Sequence, residues 1–213
     1  MQVSPAKENI LKKIRQALSN PVPVPFAHSE GAESVFQPLQ KELEIAFAEN
    51  FTSLQGKFSY CSSEKELVSQ LTSLVLSRNW KNVFCMDPRL KDIFYKNDWQ
   101  LPFSEDLGSC DLAITGCENL IARTGSIVLS AQQPGGRTTS IYAPVHICIA
   151  YTGQLVYDIR EALVNTRDRY TSLPSLITLA TGPSRTADIE KTLVVGVHGP
   201  REVFCFLVES IEQ

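Results

Sequence analysis

Three joints between apolar, strand-like runs hold most of the residues in this chain that are able to do chemistry. The first is TGCENLIARTG, residues 115–125. Glu118 there is a candidate nucleophile, base or ligand anchor, and Thr124 and Gly125 lead into the next strand. An acid at this place is equally explained by backbone donors at the start of a helix. The second joint is QQPGGRTTSIYAPVH, residues 132–146. Its glycines let backbone approach a ligand closely. Arg137, with the hydroxyls of Thr138, Thr139 and Ser140, offers donors to an anion, although a solvated hairpin loop would look the same. His146 then opens an apolar strand, where a packed histidine and a functional one are both open readings. The third joint runs Gly182, Pro183, Ser184, Arg185, Thr186, with Asp188 and Glu190 following and His198, Gly199, Pro200 and Arg201 before the last strand. A strand ending at Gly182-Pro183 and a helix starting near Thr186 would aim unpaired amide N–H groups at a phosphate or carboxylate, with Arg185 adding charge. The two acids complement a helix dipole but repel an anion, and Arg185 with Asp188 at i,i+3 is an ion pair on a helix. If a helix at 186–193 simply returns the chain, His198 falls at the opposite end of the sheet from Ser184.

The elements that must position these joints follow from periodicity and caps. Ser4-Pro5 reads as an N-cap and first helical residue, and Ile10, Leu11, Ile14 and Leu18 recur at helical spacing, so residues 5–19 form an amphipathic helix. NPVPVPF stops it, and residues 20–33 read as a stiff linker. Thus residues 1–33 form an extension, able to meet a partner or a second copy through 1–19, and 34–213 form the main domain. There the expected elements are a helix at 35–54, a strand at 57–61, a helix from the capping box Ser63–Glu66 to Ser77, a strand at 81–86 and a helix within 87–97. A strand at 111–115, one helical turn opened by Thr115–Glu118, strands at 125–130, 144–151 and 175–181, helices at 158–169 and 186–193, and a closing strand at 202–208 complete the reading. Alternation of strand and helix favours an α/β fold with a mainly parallel sheet flanked by helices, with a hairpin or antiparallel edge in 111–151.

Composition narrows the function classes. The chain has 213 residues, 43% hydrophobic and 20% charged, enough for a core of ordinary size. A net charge of −3 without a basic stripe argues against nucleic acid. The six cysteines (61, 85, 110, 117, 148 and 205) contain no C-x-x-C pair, and Cys85, Cys148 and Cys205 sit in apolar runs as small buried hydrophobes. The N-terminus has no signal-peptide core, and no apolar run is long enough to span a membrane, so the expected setting is cytoplasmic and reduced. His28, His146 and His198 are too dispersed for a metal site, and no Walker loop, G-x-S-x-G or H-E-x-x-H occurs. The residues alone therefore give an α/β domain with polar, glycine-punctuated joints suited to a small anionic ligand.

The segments CDLAITGCENLIARTGSIVL, HICIAYTGQLV and TGPSRTADIEKTLVVGVHGPREV, in that order, resemble the LUD-domain family, over about Phe36 to Val208. The resemblance implies a Rossmann-like α/β fold similar to that of the sugar-isomerase and CoA-transferase superfamily. It also implies a part in oxidising L-lactate to pyruvate beside two iron–sulfur partner proteins. Cluster binding needs grouped thiolates, which this chain lacks, so no cofactor is expected on it and clusters belong to the partners. The motif residues matched are Thr124, Gly125, Gly182 to Thr186, Asp188, Glu190 and His198 to Pro200. An accessory or ligand-binding subunit is the leading expectation. An acyl- or CoA-transferase-like enzyme using Glu118 and a small-anion-binding regulatory module are the alternatives.

Overall fold

A computed structural model describes residues 5–19, 38–189 and 192–210. The chain divides into two compact units, Met1–Pro38 and Leu39–Gln213. In the first, α1 (Pro5–Leu18) is the expected helix, with Ile10, Ile14 and Leu18 exposed. The cap at Ser4 and the linker 20–33 lie outside the described residues.

In the second unit, helix starts follow local chemistry. Ser63 caps α3 (Glu64–Ser77) by accepting the Glu66 N–H at 3.2 Å. The Glu66 carboxylate, however, reaches back to Ser62 rather than Ser63. Asp87 caps α4 (Pro88–Lys96), whose first residue is proline, and Asp158 caps α6 (Ile159–Arg169). The helix expected from residue 35 is α2, Leu43–Ser53. Leu39 is exposed, so the apolar spacing there ran past the stretch that Phe47 and Phe51 bury.

Six strands form one wholly parallel sheet: β1 (Lys57–Cys61), β2 (Val83–Cys85), β3 (Phe103–Ser104), β4 (Leu112–Thr115), β7 (Val145–Tyr151) and β12 (Glu202–Val208). Their spatial order is β1-β12-β7-β4-β2-β3. A second sheet of four strands, ordered β8-β5-β6-β9, comprises β5 (Asn119–Ile121), β6 (Ser126–Ser130), β8 (Leu155–Val156) and β9 (Ile177–Ala180). The antiparallel pairing expected in 111–151 is real, but it belongs to this separate sheet rather than to an edge of the first.

Side-chain alternation along the central strands explains the layers. Ile147, Ile149, Phe204 and Phe206 face α3 and α4, packing on Leu67, Leu71, Leu90 and Phe94. Their neighbours Cys148, Ala150, Cys205 and Leu207 face the other way, onto Phe47 and Phe51 of α2 and onto Leu120, Ile127 and Leu129 of the second sheet. The far side of that sheet packs Ile121, Val128 and Val156 on Ala162 of α6. Each fully buried large apolar side chain contributes about 1.5–3 kcal/mol, so these two seams hold the layers together. All six cysteines are free and buried.

Two expected helices are strands. The turn of helix at Thr115–Glu118 is absent: Asn119, Leu120 and Ile121 are all buried, as a strand covered on both faces requires, and the Glu118 N–H donates to the Val128 carbonyl at 2.8 Å. The helix at 186–193 is replaced by an antiparallel ribbon of β10 (Arg185–Ile189) and β11 (Thr192–Val195). Thr186, Ile189, Thr192, Val194 and Val195 are β-branched, and that preference prevails over the helix-like polar start. A four-residue helix, α5 (Thr139–Tyr142), lies between β6 and β7.

Candidate functional site

The chain leaves two neighbouring parallel strands in opposite directions. After β2 it enters α4, which packs on one face of the parallel sheet, and after β4 it enters β5, which packs on the other. Divergence of this kind opens a crevice at the carboxyl ends of the strands, the usual ligand position in open α/β sheets. A cleft of about 650 Å3 occupies that place. Asp87 and Arg89 line it from the β2 end, Gly116, Cys117 and Glu118 from the β4 end, and Ile149 and Tyr151 from β7. Gln132, Gln133 and Pro134 come from the turn after β6, and Arg169 and Tyr170 from the end of α6.

Glu118 is the buried centre of this arrangement. Its Oε1 accepts from the Ser130 hydroxyl at 2.6 Å and the Tyr170 hydroxyl at 2.7 Å, and its Oε2 accepts from Arg169 Nη1 at 2.6 Å. The Glu118 side chain is 1% exposed and that of Arg169 45%, so the guanidinium is fixed at one edge and open at the other. Burial and the Glu118 carboxylate raise the Tyr170 phenol above its ordinary range. Glu118 thus serves side-chain donors, not the backbone donors of a helix start. Asp87 is also buried. Its Oδ1 accepts from the Arg89 backbone N–H at 2.9 Å and its Oδ2 from Arg89 Nη2 at 3.4 Å, while the Arg89 side chain is 85% exposed. Gln154 braces the floor, donating to the Cys117 carbonyl at 2.7 Å and accepting the Tyr151 N–H at 2.9 Å. A hydrogen bond to Cys148 and burial push the Cys117 thiol well above its ordinary range, which disfavours the thiolate that a nucleophile needs. Burial and Glu64, which accepts the Tyr151 hydroxyl at 2.9 Å, likewise raise Tyr151.

The other expected residues lie elsewhere. Arg137 is exposed and donates to Ser175 at 2.6 Å, and the Thr138 and Thr139 hydroxyls both turn to the Gly135 carbonyl, so this joint holds itself together. His146 is buried on β7, sharing a 2.8 Å hydrogen bond with Thr115 Oγ1, and burial lowers its pKa to about 4, which leaves it neutral at pH 7. The third joint loses the helix N-terminus on which its anion reading rested. Its residues instead fasten loops to the end of α2. Gly182, at φ +84°, would set a Cβ 2.5 Å from the Leu54 carbonyl oxygen, and the Arg185 guanidinium donates to that same carbonyl. Gly125, at φ +60°, sits equally close to the Phe51 nitrogen. Thr124 shares a hydrogen bond with Ser126, and Ser126 with Thr181. Pro183 is buried, and Thr186 pairs with Val194. Asp188 lies on β10, where helical i,i+3 pairing with Arg185 does not apply, and Glu190 is outside the described residues.

The two halves of the third joint do meet. Ser184 N–H donates to the Pro200 carbonyl at 2.9 Å, Gly196 N–H donates to the Ser184 carbonyl at 3.0 Å, and Gly199 lies against the Ser184 side chain. His198 is exposed beside a shallower cavity of about 410 Å3. Among the described residues no group of three or more His, Cys, Asp or Glu side chains is placed to hold a metal ion, and no helix is long and apolar enough to cross a membrane. Sequence reasoning found Glu118 but missed Asp87, Arg89, Arg169 and Tyr170. The Asp-Pro cap at 87–88 was the one local signal available.

A family model described as the LUD domain matches residues 90–208, more than half of the chain and nearly all of the elements just described from α4 onward. The chain belongs to the LUD-domain family. The matched range contains Glu118, Arg169 and Tyr170, while Asp87 and Arg89 directly precede or border its start. Among curated proteins, the lactate utilization protein C of Bacillus subtilis is 36% identical over 103 residues, 47% of this chain and 43% of that protein. The protein of the same name from Deinococcus radiodurans is 35% identical over 104 residues, 48% of this chain and 49% of that protein. An uncharacterized protein of Neisseria meningitidis is 31% identical over 117 residues, 55% of this chain and 50% of its own length. The matches thus span about half the length of these relatives. A crystal structure of a DUF162 family protein from Deinococcus radiodurans is similar to this chain in fold, at a TM-score of 0.56 and 22% identity, covering 80% of this chain and 99% of that one.

Proposed function

We propose that this LUD-domain chain is a ligand-binding component of a lactate-utilisation system, acting in the oxidation of L-lactate to pyruvate beside iron–sulfur partner proteins. The names of its relatives support the process. The observation that supports the ligand-binding role is the cleft at the diverging ends of β2 and β4, where Arg169, held by buried Glu118, and the exposed Arg89, beside buried Asp87, keep donors open to an acidic guest. An arginine already positioned by one carboxylate loses little further freedom on binding another acid.

The transferase alternative has weaker support. A carboxylate nucleophile needs an activated, accessible oxygen, and both oxygens of Glu118 already accept hydrogen bonds. Deletion of the gene should abolish growth on L-lactate, and a copy carrying Arg89→Gln and Arg169→Gln should fail to restore it while accumulating as folded protein. Normal growth of the deletion strain would remove the process assignment. Full rescue by the double variant would remove the cleft from it.

A further inference from the structure

The cleft is much larger than a three-carbon acid requires. At about 650 Å3 it falls in the middle of the range that encloses ligands the size of drugs and cofactors. Its walls are chemically divided. Half-buried Ile93 and exposed Pro134, with the edges of the core residues Leu90 and Ile149 beneath, supply apolar surface of a kind that L-lactate has almost nothing to cover. The charged groups supply the other half.

Acceptor capacity separates the two buried carboxylates. An ionised carboxylate has about four lone-pair sites. Three donors already occupy Glu118: Ser130, Tyr170 and Arg169. Among the described residues Asp87 receives two bonds, both from Arg89, and so keeps acceptor capacity in a position lining the cleft. A buried acceptor with unused lone pairs favours a guest bearing hydroxyl groups, since buried polar capacity left unmatched is costly. Gly116 borders the same carboxylate: a Cβ added there would lie 3.8 Å from Asp87 Oδ2. The absence of a side chain thus leaves the approach to Asp87 open.

We infer that the cleft takes a nucleoside phosphate, its phosphate on Arg89 and Arg169, its ribose hydroxyls on Asp87 and its base against Ile93 and Pro134. This rests on the ligand-binding reading above and names a second participant, distinct from lactate itself. Guanidinium groups suit phosphate oxygens because their planar forks present paired donors. The more heavily bonded Glu118 has a positioning role, holding Arg169 in place from behind.

Titration of the full chain with trinitrophenyl-ADP, followed by fluorescence, tests this. Saturable binding at one site, displaced by ADP, is expected. Arg89→Gln and Asp87→Asn should each weaken it at least about tenfold, the size expected for loss of a charge-assisted contact. Asparagine keeps the helix cap, and an unchanged urea midpoint would show that the Asp87→Asn chain is folded. Probe binding that ADP does not displace, or that neither variant weakens, would place the probe elsewhere, such as the apolar groove at Leu163 and Leu173, and overturn the inference. If ADP and its analogue fail to bind while L-lactate or pyruvate binds in an Arg169-dependent manner, the nucleotide assignment falls and the ligand-binding reading stands. If none of the four binds, both fall.

Discussion

Glu118→Gln changes only one end of one side chain, yet three donors depend on that end. The Ser130 hydroxyl accepts the Gln132 N–H at 3.2 Å, which directs its own proton to Glu118, and Tyr170 and Arg169 also donate to the carboxylate. A glutamine offers one oxygen and one NH2. With its NH2 toward Arg169 the amide sets donor against donor; with its NH2 toward Ser130 and Tyr170 both hydroxyls must turn to accept, and Arg169 keeps only a neutral oxygen. Hydrogen bonds to charged groups are worth about 1.5–3 kcal/mol, and the open side of Arg169 lets solvent recover part of its share. A loss of about 2 kcal/mol is therefore expected, which lowers the melting temperature by roughly 4–8 °C in a chain of this size. Urea denaturation of the wild type, Glu118→Gln, Arg169→Gln and the double variant measures it. The m-value should hold steady and the two single effects should couple by about 1 kcal/mol. A Glu118→Gln chain within about 0.5 kcal/mol of wild type, the scatter of neutral surface changes, would refute the view that this carboxylate is clamped by its neighbours.

Two further outcomes follow from residues that the sequence put forward as binding groups. Arg185→Ala removes the guanidinium from the Leu54 carbonyl at the end of α2; stability should fall by about 1 kcal/mol while affinity for any cleft ligand is unchanged, and the reverse pattern in paired denaturation and titration experiments would return the ligand to that corner. His146 remains neutral in the folded chain until about pH 4, against an ordinary value of 6.5. Below 6.5 the unfolded chain binds a proton that the folded chain refuses, so this group's contribution is complete above that pH and is lost as pH falls toward 4. The loss relative to His146→Gln should reach about 3 kcal/mol, and parallel stability–pH curves for the two proteins would dismiss it.

Much of the architecture was legible from local chemistry. The caps at Ser63, Asp87-Pro88 and Asp158 and the continuous apolar runs at 145–151 and 202–208 mark elements whose packing agrees with their propensity. The segment from Arg185 to Val195 shows where that legibility ends. Thr186, Asp188 and Glu190 imitate a helix start, and Glu190-Lys191 between the two strands carries no glycine or asparagine to announce a turn. The strand signal lay in the β-branched residues at 186, 189, 192, 194 and 195, and the local pairing of β10 with β11 realises it. The cleft was hidden for a different reason. Asp87, Glu118 and Arg169 are far apart along the chain, and only the divergence of β2 and β4 brings them to one crevice. Arginines at 89 and 169 look, in sequence, like ordinary helix-surface cations. Close approach was read from the glycines of the second joint; in the third joint Gly182 and Gly199 make it too, but of the protein to itself.

The crevice between β2 and β4 draws one wall from each side of the parallel sheet: α4 belongs to the layer above it, and Arg169 and Tyr170 arrive from the helix that closes the layer below. An occupant would therefore act as a rivet through the thickness of the molecule. Filling it should slow hydrogen exchange at the ends of α4 and α6 together, although those helices pack into different apolar clusters.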